Sequence, residues 1–368
     1  MEIMQLVPTS LHIMMAGLIL ILSFFHHESP RYLIKRGRAD EATAVMAHLR
    51  QLPAGHEYIQ REIATIQAAW DTEVDATRGA SWSGRLKELF CVPSNLYRFY
   101  LSAMVQVLSQ WSGAGSITLY APDFFRILGI TGDETSLLVT AIFGIVKLCA
   151  AVLCALFLVD AIGRKRALLA GITLQCISMV YVASFLTSVP QLGVTEGFTV
   201  PAGKVGASRG AVAMIYLSGF GWALGWNSMQ YLLTAELFPL RIRALATSLA
   251  MGLHFANQYG NSRAVPNMLL PAGDGGISPL GTFWFFAAVT VLGGFWVWLS
   301  VPETAGVSLE KMDRIFSLSW YKVGLHGYRA SESQENILDE EKRGSLVPGR
   351  LESVDHASVS EMEQSRKI

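Results

Sequence analysis

Long apolar segments alternate with shorter polar ones along most of this 368-residue chain. Several of the apolar segments approach the roughly 20 residues with which a helix crosses the hydrocarbon core of a bilayer. Their polar residues are isolated, whereas a helix of a soluble domain would show one continuous polar face. The pattern therefore predicts membrane-spanning helices at residues 3–25, 97–120, 137–159, 167–188, 211–234, 243–262 and 281–301.

The segments outside the predicted spans have two different patterns. After the first span, apolar residues such as Ala42 and Met46 recur at helical spacing, which predicts a helical loop. From about residue 330 the chain is polar and rich in Ser and Glu, and its lack of apolar periodicity predicts disorder. The expected organisation is a spanning helix at 1–25, a helical loop at 26–96, a six-helix bundle at 97–301 and a tail at 302–368.

Basic residues collect after alternate spans, which sets the orientation. Arg31, Lys35, Arg36 and Arg38 follow the first span, Arg164, Lys165 and Arg166 follow the third, and Arg241 and Arg243 follow the fifth. Because Lys and Arg favour cytoplasmic loops, the helical loop and the tail are predicted to lie in the cytoplasm. We expect an integral, multi-pass protein of the plasma membrane, in contact with the lipid bilayer.

The composition agrees with a membrane protein and excludes several other classes. Hydrophobic residues make up 51% and charged residues 16% of the chain, a combination that is rare in soluble domains. A net charge of zero gives no basis for nucleic-acid binding. The sequence has no phosphate-binding glycine loop, no HExxH motif and no nucleophile elbow, so we expect neither an enzyme nor a cofactor. The four cysteines form no CxxC or Cys/His pair, which argues against a metal site.

Lys147 lies near the middle of the third predicted span, which carries no other charge. A lysine at this depth costs about 2.5–3.5 kcal/mol on insertion scales, so it should face protein or a water-filled cavity. The small residues Gly144, Ala150 and Ala151 share its helix face and suit close packing or a cavity wall. Two interpretations stay open, a lysine bonded to neighbouring carbonyl or hydroxyl groups and a lysine that binds a ligand.

The second and fifth spans combine flexible backbone with polar side chains. Glycines occur at Gly113 and Gly115 in the second span, and at Gly221 and Gly225 in the fifth. Paired interrupted spans mark the midplane binding site of many transporters, although glutamines and GxxxG motifs also serve helix packing. His254 in the sixth span is expected to be a buried, hydrogen-bonded histidine. The candidate solute-binding residues are Gln110, Tyr120, Lys147, Asn227, Tyr231 and Gln258, with Tyr120 gating the outer side.

Charged residues also follow the spans on the predicted cytoplasmic side. Carboxylates and arginines at one membrane face can pair between helices and hold one conformation, or they can serve topology alone. Their regular spacing after the third and fifth spans favours the first role. The candidate charge network consists of Glu28, Arg31, Asp160, Arg164, Glu236, Arg243 and Glu303.

Four short motifs resemble those of the sugar porter family of the major facilitator superfamily. They are Ser29-Pro30-Arg31 with Gly37-Arg38, the run from Asp160 to Lys165, Glu236-Leu237-Phe238-Pro239 with Arg243, and Pro302-Glu303-Thr304-Ala305-Gly306. The resemblance extends to about residue 320 and implies that the spans are helices 6 to 12 of a twelve-helix transporter. Helices 1 to 5 would then be missing, including an acid in helix 1 that couples protons in many family members.

Within this family, the chain resembles fungal quinate-permease-type members most, in the stretches Ala235–Met251 and Gln258–Pro266. Quinate is a polyhydroxylated carboxylate, which a cavity lysine would complement. The resemblance places the family's QQxSGxN motif on the run from Ser109 to Gly115, its helix 8 asparagine on Lys147, its helix 10 tryptophan on Tyr231 and a helix 11 asparagine on Gln258. These departures from the family's pattern argue against ordinary hexose recognition.

The expected fold is therefore an all-α integral membrane protein, the C-terminal six-helix half of a major facilitator bundle plus the last helix of the N-terminal half. The expected function is transport of a sugar, polyol or quinate-like solute, coupled to protons in a full-length parent that includes the missing N-terminal half. Two alternatives remain, a non-transporting solute sensor or partner subunit and an inactive gene product.

Overall fold

The computed structural model describes residues 2–77, 81–130, 132–195, 198–305, 312, 315–318 and 322–325. Regular secondary structure in these residues is helical throughout, which confirms the predicted all-α fold. The chain divides into two compact units, Met1–Ser81 and Trp82–Ile368. The disorder predicted from about residue 330 lies outside the described residues.

The first unit consists of α1 (Glu2–Phe24), α2 (Pro30–Lys35), α3 (Ala39–Arg50) and α4 (Glu57–Thr77). Helix α1 covers the first predicted span, and its large apolar side chains are exposed from Ile13 to Phe24 on successive residues. A helix that is apolar all round suits an apolar environment rather than water. Helices α2 to α4 share a core made of Leu33, Ile34, Ala42, Met46, Ile59 and Ile63. The helical spacing of Ala42 and Met46 thus predicts the buried face of α3.

Helices also cover the other six predicted spans, all in the second unit. Its α-helices are α5 (Trp82–Cys91), α6 (Pro93–Trp111), α7 (Ala114–Leu119), α8 (Ala121–Ile127), α9 (Asp133–Leu153), α10 (Val159–Ile162), α11 (Arg164–Ser188), α12 (Val205–Trp222), α13 (Ser228–Glu236), α14 (Leu240–Leu269) and α15 (Ser278–Ser300). Short π-helical segments occur at Cys154–Leu158 and Ala223–Asn227, and 3₁₀ turns at Ala202–Lys204 and Ala272–Asp274. Helix α14 has 30 residues and extends beyond the predicted span 243–262 at both ends.

Three described helices are both long enough and apolar enough to cross a membrane: Glu134–Phe157, α11 and α15. The apolar part of α1, Ile13–Phe24, is shorter. The helices over the remaining predicted spans contain more polar residues, which lowers their mean hydropathy. Those polar residues include most of the candidate solute-binding side chains.

The second predicted span is interrupted, as its glycines indicate. Helix α6 ends at Trp111, and α7 starts at Ala114 after Gly113, whose φ of +88° lies in the left-handed region. A Cβ on Gly113 would lie 2.5 Å from Cγ of Phe286 on α15, so the position admits no side chain. The break therefore follows from both a backbone conformation and a close contact.

The third and fifth spans each widen into a π-helical segment instead of breaking. Such segments leave backbone carbonyls without their usual intrahelical partner and are frequent at functional sites. The buried thiol of Cys154, in the first segment, donates to the carbonyl oxygen of Leu224 in the second, at 3.3 Å. The two segments therefore contact each other through this hydrogen bond.

The GxxxG motif of the fifth span marks a close helix crossing, as one of its two interpretations predicts. A Cβ on Gly171 of α11 would overlap the carbonyl oxygen of Gly221 and lie 2.6 Å from the Cα of Gly225. The absence of side chains lets the two backbones approach, which increases van der Waals contact. The crossing fixes α11 against α12 and the π-helical segment that follows it.

The division between the units differs from the predicted loop boundary at residue 96. Helix α5 belongs to the second unit, where Leu89 packs with Leu237, Phe238 and Ile242 in one buried cluster. Phe316 from the tail joins the same cluster. Helix α5 therefore packs with the six-helix bundle while it stays within the predicted loop 26–96.

Candidate functional site

A cavity of about 270 Å³ lies in the second unit between the interrupted span and the helices opposite it. It is lined by residues of α6, α7, α9, α12, α13 and α14, and polar side chains predominate. The lining residues are Gln110, Gly115, Ser116, Thr118, Leu119, Lys147, Trp222, Gln230, Tyr231, His254, Gln258, Asn261 and Ser262. Polar groups that converge on a concavity beside an interrupted helix are typical of a small-molecule site.

Lys147 reaches the cavity from α9. Its Nζ donates to Oγ1 of Thr118 at 2.7 Å and lies 4.3 Å from the centroid of the Trp222 ring, within cation–π range. Gly219 leaves space for its stem, because a Cβ there would lie 3.2 Å from Cγ of Lys147. The ammonium has three N–H donors, so its bond to Thr118 leaves capacity for a solute. Lys147 thus makes the hydroxyl contact of the first interpretation and also lines the cavity, which is the position that the second interpretation, ligand binding, requires.

Gln230 presents a donor to the cavity from α13. Its Oε1 accepts a hydrogen bond of 2.5 Å from Oγ of Ser109, so its Nε2 is the atom with free capacity. Gln230 is 1% exposed. A buried amide held at one end is well suited to donate to a hydroxyl or carboxylate oxygen at the other.

His254 enters the cavity from α14 and is 4% exposed. Its Nδ1 lies 2.8 Å from Oε1 of Gln106, and its Nε2 lies 3.3 Å from the hydroxyl oxygen of Tyr231. The Nε2 atom of Gln110 is 3.2 Å from both ring nitrogens. The prediction of a buried, hydrogen-bonded histidine is confirmed, and the ring also lines the cavity.

Hydrogen bonds tie the interrupted span to α14 on the other side of the cavity. Asn261 donates through Nδ2 to the carbonyl oxygen of Gln110 at 2.7 Å and accepts from Oγ of Ser116. The Tyr120 hydroxyl donates to the carbonyl oxygen of Ser262 at 2.6 Å. The bond from Asn261 satisfies the Gln110 carbonyl next to the helix break, and backbone groups at membrane depth need such partners.

The structure brings four of the six candidate solute-binding residues to the cavity wall: Gln110, Lys147, Tyr231 and Gln258. Tyr120 is held beside the cavity by Ser262 and is not among its lining residues. Asn227 is half-buried at the end of the π-helical segment and does not line the cavity either. The wide turn in which Asn227 lies changes the angular register of the helix.

Sequence reasoning missed some of the residues that line the cavity. Gln230 is next to Tyr231 in the same polar stretch. Both line the cavity because of the rotation of α13 about its axis, which the sequence does not reveal. His254, Gln258 and Asn261 follow i, i+4, i+7 spacing, which places them on one face of α14 and was a usable signal. Among the described residues, no group of three His, Cys, Asp or Glu side chains is arranged to hold a metal ion.

Glu303, in the turn after α15, caps the N-terminus of α11. Its Oε1 accepts from the backbone N–H of Arg164 at 2.8 Å, and its Oε2 accepts from that of Lys165 at 3.2 Å. A carboxylate at this position satisfies free N–H groups and complements the helix dipole. Gly163 has a φ of +92°, and a Cβ there would lie 2.7 Å from Oε2 of Glu303. A glycine is therefore needed where the carboxylate approaches.

Arg164 also contacts the chain segment after the fifth span. Its guanidinium lies 3.3 Å from Oε1 of Glu236, with both side chains mostly buried, and Oγ1 of Thr304 donates to Oε2 of the same glutamate at 2.6 Å. Arg243 donates through Nε to the carbonyl oxygen of Phe238 at 3.0 Å. The structure thus connects the segments after the third, fifth and seventh spans.

The remaining network candidates lie elsewhere. Glu28 and Arg31 belong to the first unit, where both are exposed. The side chain of Asp160 lies outside those that the structure describes. The contacts in this region therefore join Arg164, Glu236 and Glu303, with Thr304 as a bridging residue that the sequence did not single out.

Comparison with known proteins gives the family. Residues 5–316 match the profile of the family described as sugar (and other) transporters. A probable quinate permease from Aspergillus niger is 32% identical over 312 residues, which are 84% of this chain and 56% of the relative. A quinate permease from Neurospora africana is 30% identical over 346 residues, 92% of this chain and 62% of the relative. The chain thus spans less than two thirds of the length of these relatives.

Comparison with solved structures supports the same family. The proton:xylose symporter XylE of the major facilitator superfamily, bound to 6-bromo-6-deoxy-D-glucose, superimposes with a TM-score of 0.60 at 25% identity, covering 82% of this chain and 57% of that one. A partially occluded, inward-open form of the xylose transporter XylE from E. coli gives a TM-score of 0.56 at 21% identity, covering 80% of this chain and 54% of that one, and so supports the fold. The chain is therefore a multi-pass integral membrane protein of the sugar (and other) transporter family, among the sugar porters of the major facilitator superfamily.

Proposed function

We propose that this chain forms the solute-binding C-terminal half of a transporter for a small polyhydroxylated compound, a sugar, a polyol or a quinate-like hydroxy acid. The observation that carries the proposal is the polar cavity beside the interrupted second span. It combines the donors of Lys147 and Gln230 with the hydroxyl of Tyr231, a set that matches a solute rich in hydroxyl groups.

Within this site, Gln110, Lys147, Tyr231 and Gln258 are proposed to contact the solute. An ammonium in a small cavity favours a solute with a carboxylate, because charge-assisted hydrogen bonds are stronger than neutral ones. The names of the quinate permeases that resemble this chain support a hydroxy acid. Tyr120 is proposed to act at the outer edge, where its bond to Ser262 would have to break for the helix ends to separate.

The transport cycle is proposed to follow alternating access, in which two halves rock around a central site. By this proposal the described helices correspond to helices 6 to 12 of a twelve-helix transporter, and an N-terminal half completes the cavity. Coupling to protons is part of the proposal because the structural relative XylE is a proton:xylose symporter. The distribution of basic residues supports a cytoplasmic loop and tail, and we propose the plasma membrane as the location.

The inner charge network is proposed to hold the cytoplasmic ends of the helices together in one state of the cycle. Glu303 joins the end of α15 to the start of α11, and Arg164 joins the start of α11 to Glu236. Such bonds between separate helices must break when the helices move apart, so they bias the equilibrium between two states.

The test is uptake and binding with the same solutes. Proteoliposomes are prepared with this chain alone and with this chain joined to the N-terminal half of the Aspergillus niger quinate permease, and uptake of radiolabelled quinate, myo-inositol and D-xylose is measured. Saturable uptake by the joined form supports the proposal. Saturable binding without uptake by either form would favour a sensor or partner subunit, and the absence of both would refute a role in solute transport.

A further inference from the structure

Helix α5 carries a stripe of large apolar side chains that are exposed in the described structure. Trp82, Leu86 and Phe90 are exposed by 67%, 37% and 44%, and their spacing of four residues places them along one side of the helix. Single exposed apolar side chains are common, whereas a row of three on a helix of 10 residues marks an interaction surface. We call these three residues the α5 stripe.

Two contacts fix the orientation of the α5 stripe. Leu89 is fully buried in a cluster with Leu237 and Phe238. Glu88 forms an ion pair of 2.9 Å with Arg241, at the start of α14. Turning the stripe toward the bundle would break both contacts, so its side chains must face outward.

The course of the chain places α5 at a membrane surface. Only Val92 separates the end of α5 from the start of α6. The predicted second span begins at residue 97, within α6. Helix α5 therefore ends a few residues from the point at which the chain enters lipid, and an apolar stripe there meets either acyl chains or water.

The α5 stripe is continuous with the outer surface of the bundle. Phe90 contacts Phe99 of α6 edge to face, with ring centroids 5.4 Å apart. The next residue, Tyr100, contacts Trp296 of α15 in the same way and accepts a hydrogen bond of 3.2 Å from its indole. Helix α15 is apolar enough to cross a membrane, and its Trp298 is exposed near the same end. Amphipathic aromatic rings of this kind are enriched where membrane and water meet.

An open groove of about 770 Å³ extends this surface from the end of α5. It starts at Pro93 and lies between α6 and residues 316–318 of the tail, with Leu96, Tyr97 and Phe316 in its wall. Apolar surface in contact with water is unfavourable, so an acyl chain suits this recess better than water does. The stripe and the groove together form one apolar surface at one membrane face.

We propose that α5 is an interfacial membrane anchor, and that the α5 stripe lies among the acyl chains of the leaflet at which α6 begins. The partner is therefore phospholipid, and the inference does not depend on which solute the protein carries. Helices of this kind lie in the plane of the interface, with the apolar face about 5–10 Å deep. Through Glu88 and Arg241 the anchor also holds the start of α14 at the membrane surface.

The first experiment measures the depth of Trp82 in the full chain in lipid nanodiscs. Tryptophan emission is recorded with phospholipids brominated near the glycerol end or near the terminus of their acyl chains, and the difference between the unaltered chain and Trp82→Phe gives the emission of Trp82. This emission should fall by about half or more with the shallow bromines and by less with the deep ones, as expected for an interfacial helix. No quenching of Trp82 by either lipid would overturn the proposal.

Trp70→Phe is the matched control for this measurement. Trp70 packs against the core that α2 to α4 share, so the emission lost in this variant should be quenched little by either brominated lipid. Equal quenching of Trp70 and Trp82 would show that the bromines do not distinguish a lipid-embedded ring, and the assignment of the α5 stripe to lipid would fail.

The second experiment tests whether the stripe itself holds α5 in the lipid. A double variant, Leu86→Gln with Phe90→Gln, removes apolar surface and keeps Trp82 as the reporter. Quenching by the shallow bromines should fall by about 2-fold, because interfacial binding scales with the apolar area that enters the lipid. Leu49→Gln, at a leucine of α3 that is 57% exposed, should leave this quenching unchanged. Unchanged quenching in the double variant would overturn the role of the stripe, and if that variant does not fold, the first experiment still decides.

A third measurement separates lipid from a protein partner. The quenching of Trp82 is repeated in the chain joined to the N-terminal half of the Aspergillus niger quinate permease, and we expect the same result as for the chain alone. Quenching that disappears in the joined form would assign the α5 stripe to a contact with that half and would overturn the lipid assignment. None of these readouts involves solute uptake, so their failure leaves the proposed function intact.

Discussion

Lys147→Asn is the substitution that tests the proposed site most directly. Asparagine keeps a hydrogen-bond donor and matches the residue type that the sugar porter resemblance places at this position, but it removes the positive charge. The loss should therefore fall on solutes with a carboxylate. The Thr118 hydroxyl, which accepts from Nζ at 2.7 Å, can rebond to water or to the amide, so local packing changes little.

The magnitude follows from the geometry. Unit charges about 4 Å apart interact by about 4 kcal/mol at an effective dielectric constant of about 20. Binding also displaces water and disturbs the contacts of Nζ with Thr118 and the Trp222 ring, so the net value is closer to the ~1.5–3 kcal/mol of a charge-assisted hydrogen bond. This corresponds to about 10- to 150-fold in affinity for quinate. A neutral polyol should lose only about 2- to 10-fold, because it has no carboxylate to pair with the ammonium and the asparagine amide can still donate to its hydroxyl.

The assay is equilibrium binding of quinate and myo-inositol to the chain in nanodiscs, with Lys87→Asn as the matched control. Lys87 is exposed on α5 and does not line the cavity, so its variant removes the same charge without touching the site. The control should bind both solutes as the unaltered chain does. Equal losses for both solutes in Lys147→Asn would show that the lysine serves packing, and the carboxylate interpretation would fail.

Three further predictions concern the backbone and the inner charge network, each measured by thermal unfolding in detergent with Gly206→Ala as a neutral control, since a Cβ there meets nothing within 4 Å. Gly163→Ala should destabilise by at least about 1–3 kcal/mol because of its positive φ and the nearby Glu303 carboxylate; an unchanged midpoint would contradict the cap geometry. Gly171→Ala should lower the unfolding midpoint more than Gly163→Ala does, because its Cβ would meet backbone atoms and not a movable side chain. A decrease no larger than that of Gly206→Ala would refute the close helix crossing. Glu303→Gln should cost about 0.5–2 kcal/mol through the weakened cap of α11 while quinate affinity stays within 2-fold; a large affinity change would place it in the site instead.

Much of the architecture could be predicted because membrane helices satisfy their backbone hydrogen bonds locally. The apolar segments locate the helices, and Gly113 with its neighbours locates the break in the second span. Lys147 could be placed against protein or a water-filled cavity, and away from lipid, because a charge in lipid is too costly. Glu303 and Arg164 could be placed in one network because their motifs follow spans that end on the same membrane side.

Other placements depend on packing that the sequence does not show. Asn227 was expected to contact solute because it is an amide in a span that combines polar side chains with glycines; it ends the π-helical segment Ala223–Asn227 and does not line the cavity. Gln106 and Gln230 have side chains that suit packing or binding equally, and only their partners on other helices distinguish the two roles. Leu89 joins α5 to the second unit, a contact that depends on packing and not on membrane depth.

The sequence by itself determined the helical class, the spans and the kinds of side chain available at membrane depth, because burial in lipid constrains each segment independently. Tertiary structure decided which of those side chains share a cavity and which atoms they present to it. That choice depends on helix rotation and on hydrogen-bond partners more than 100 positions away, as in the bonds that join Gln106 to Gln230 and to His254. Such partners are selected by packing, which no local pattern in the chain encodes.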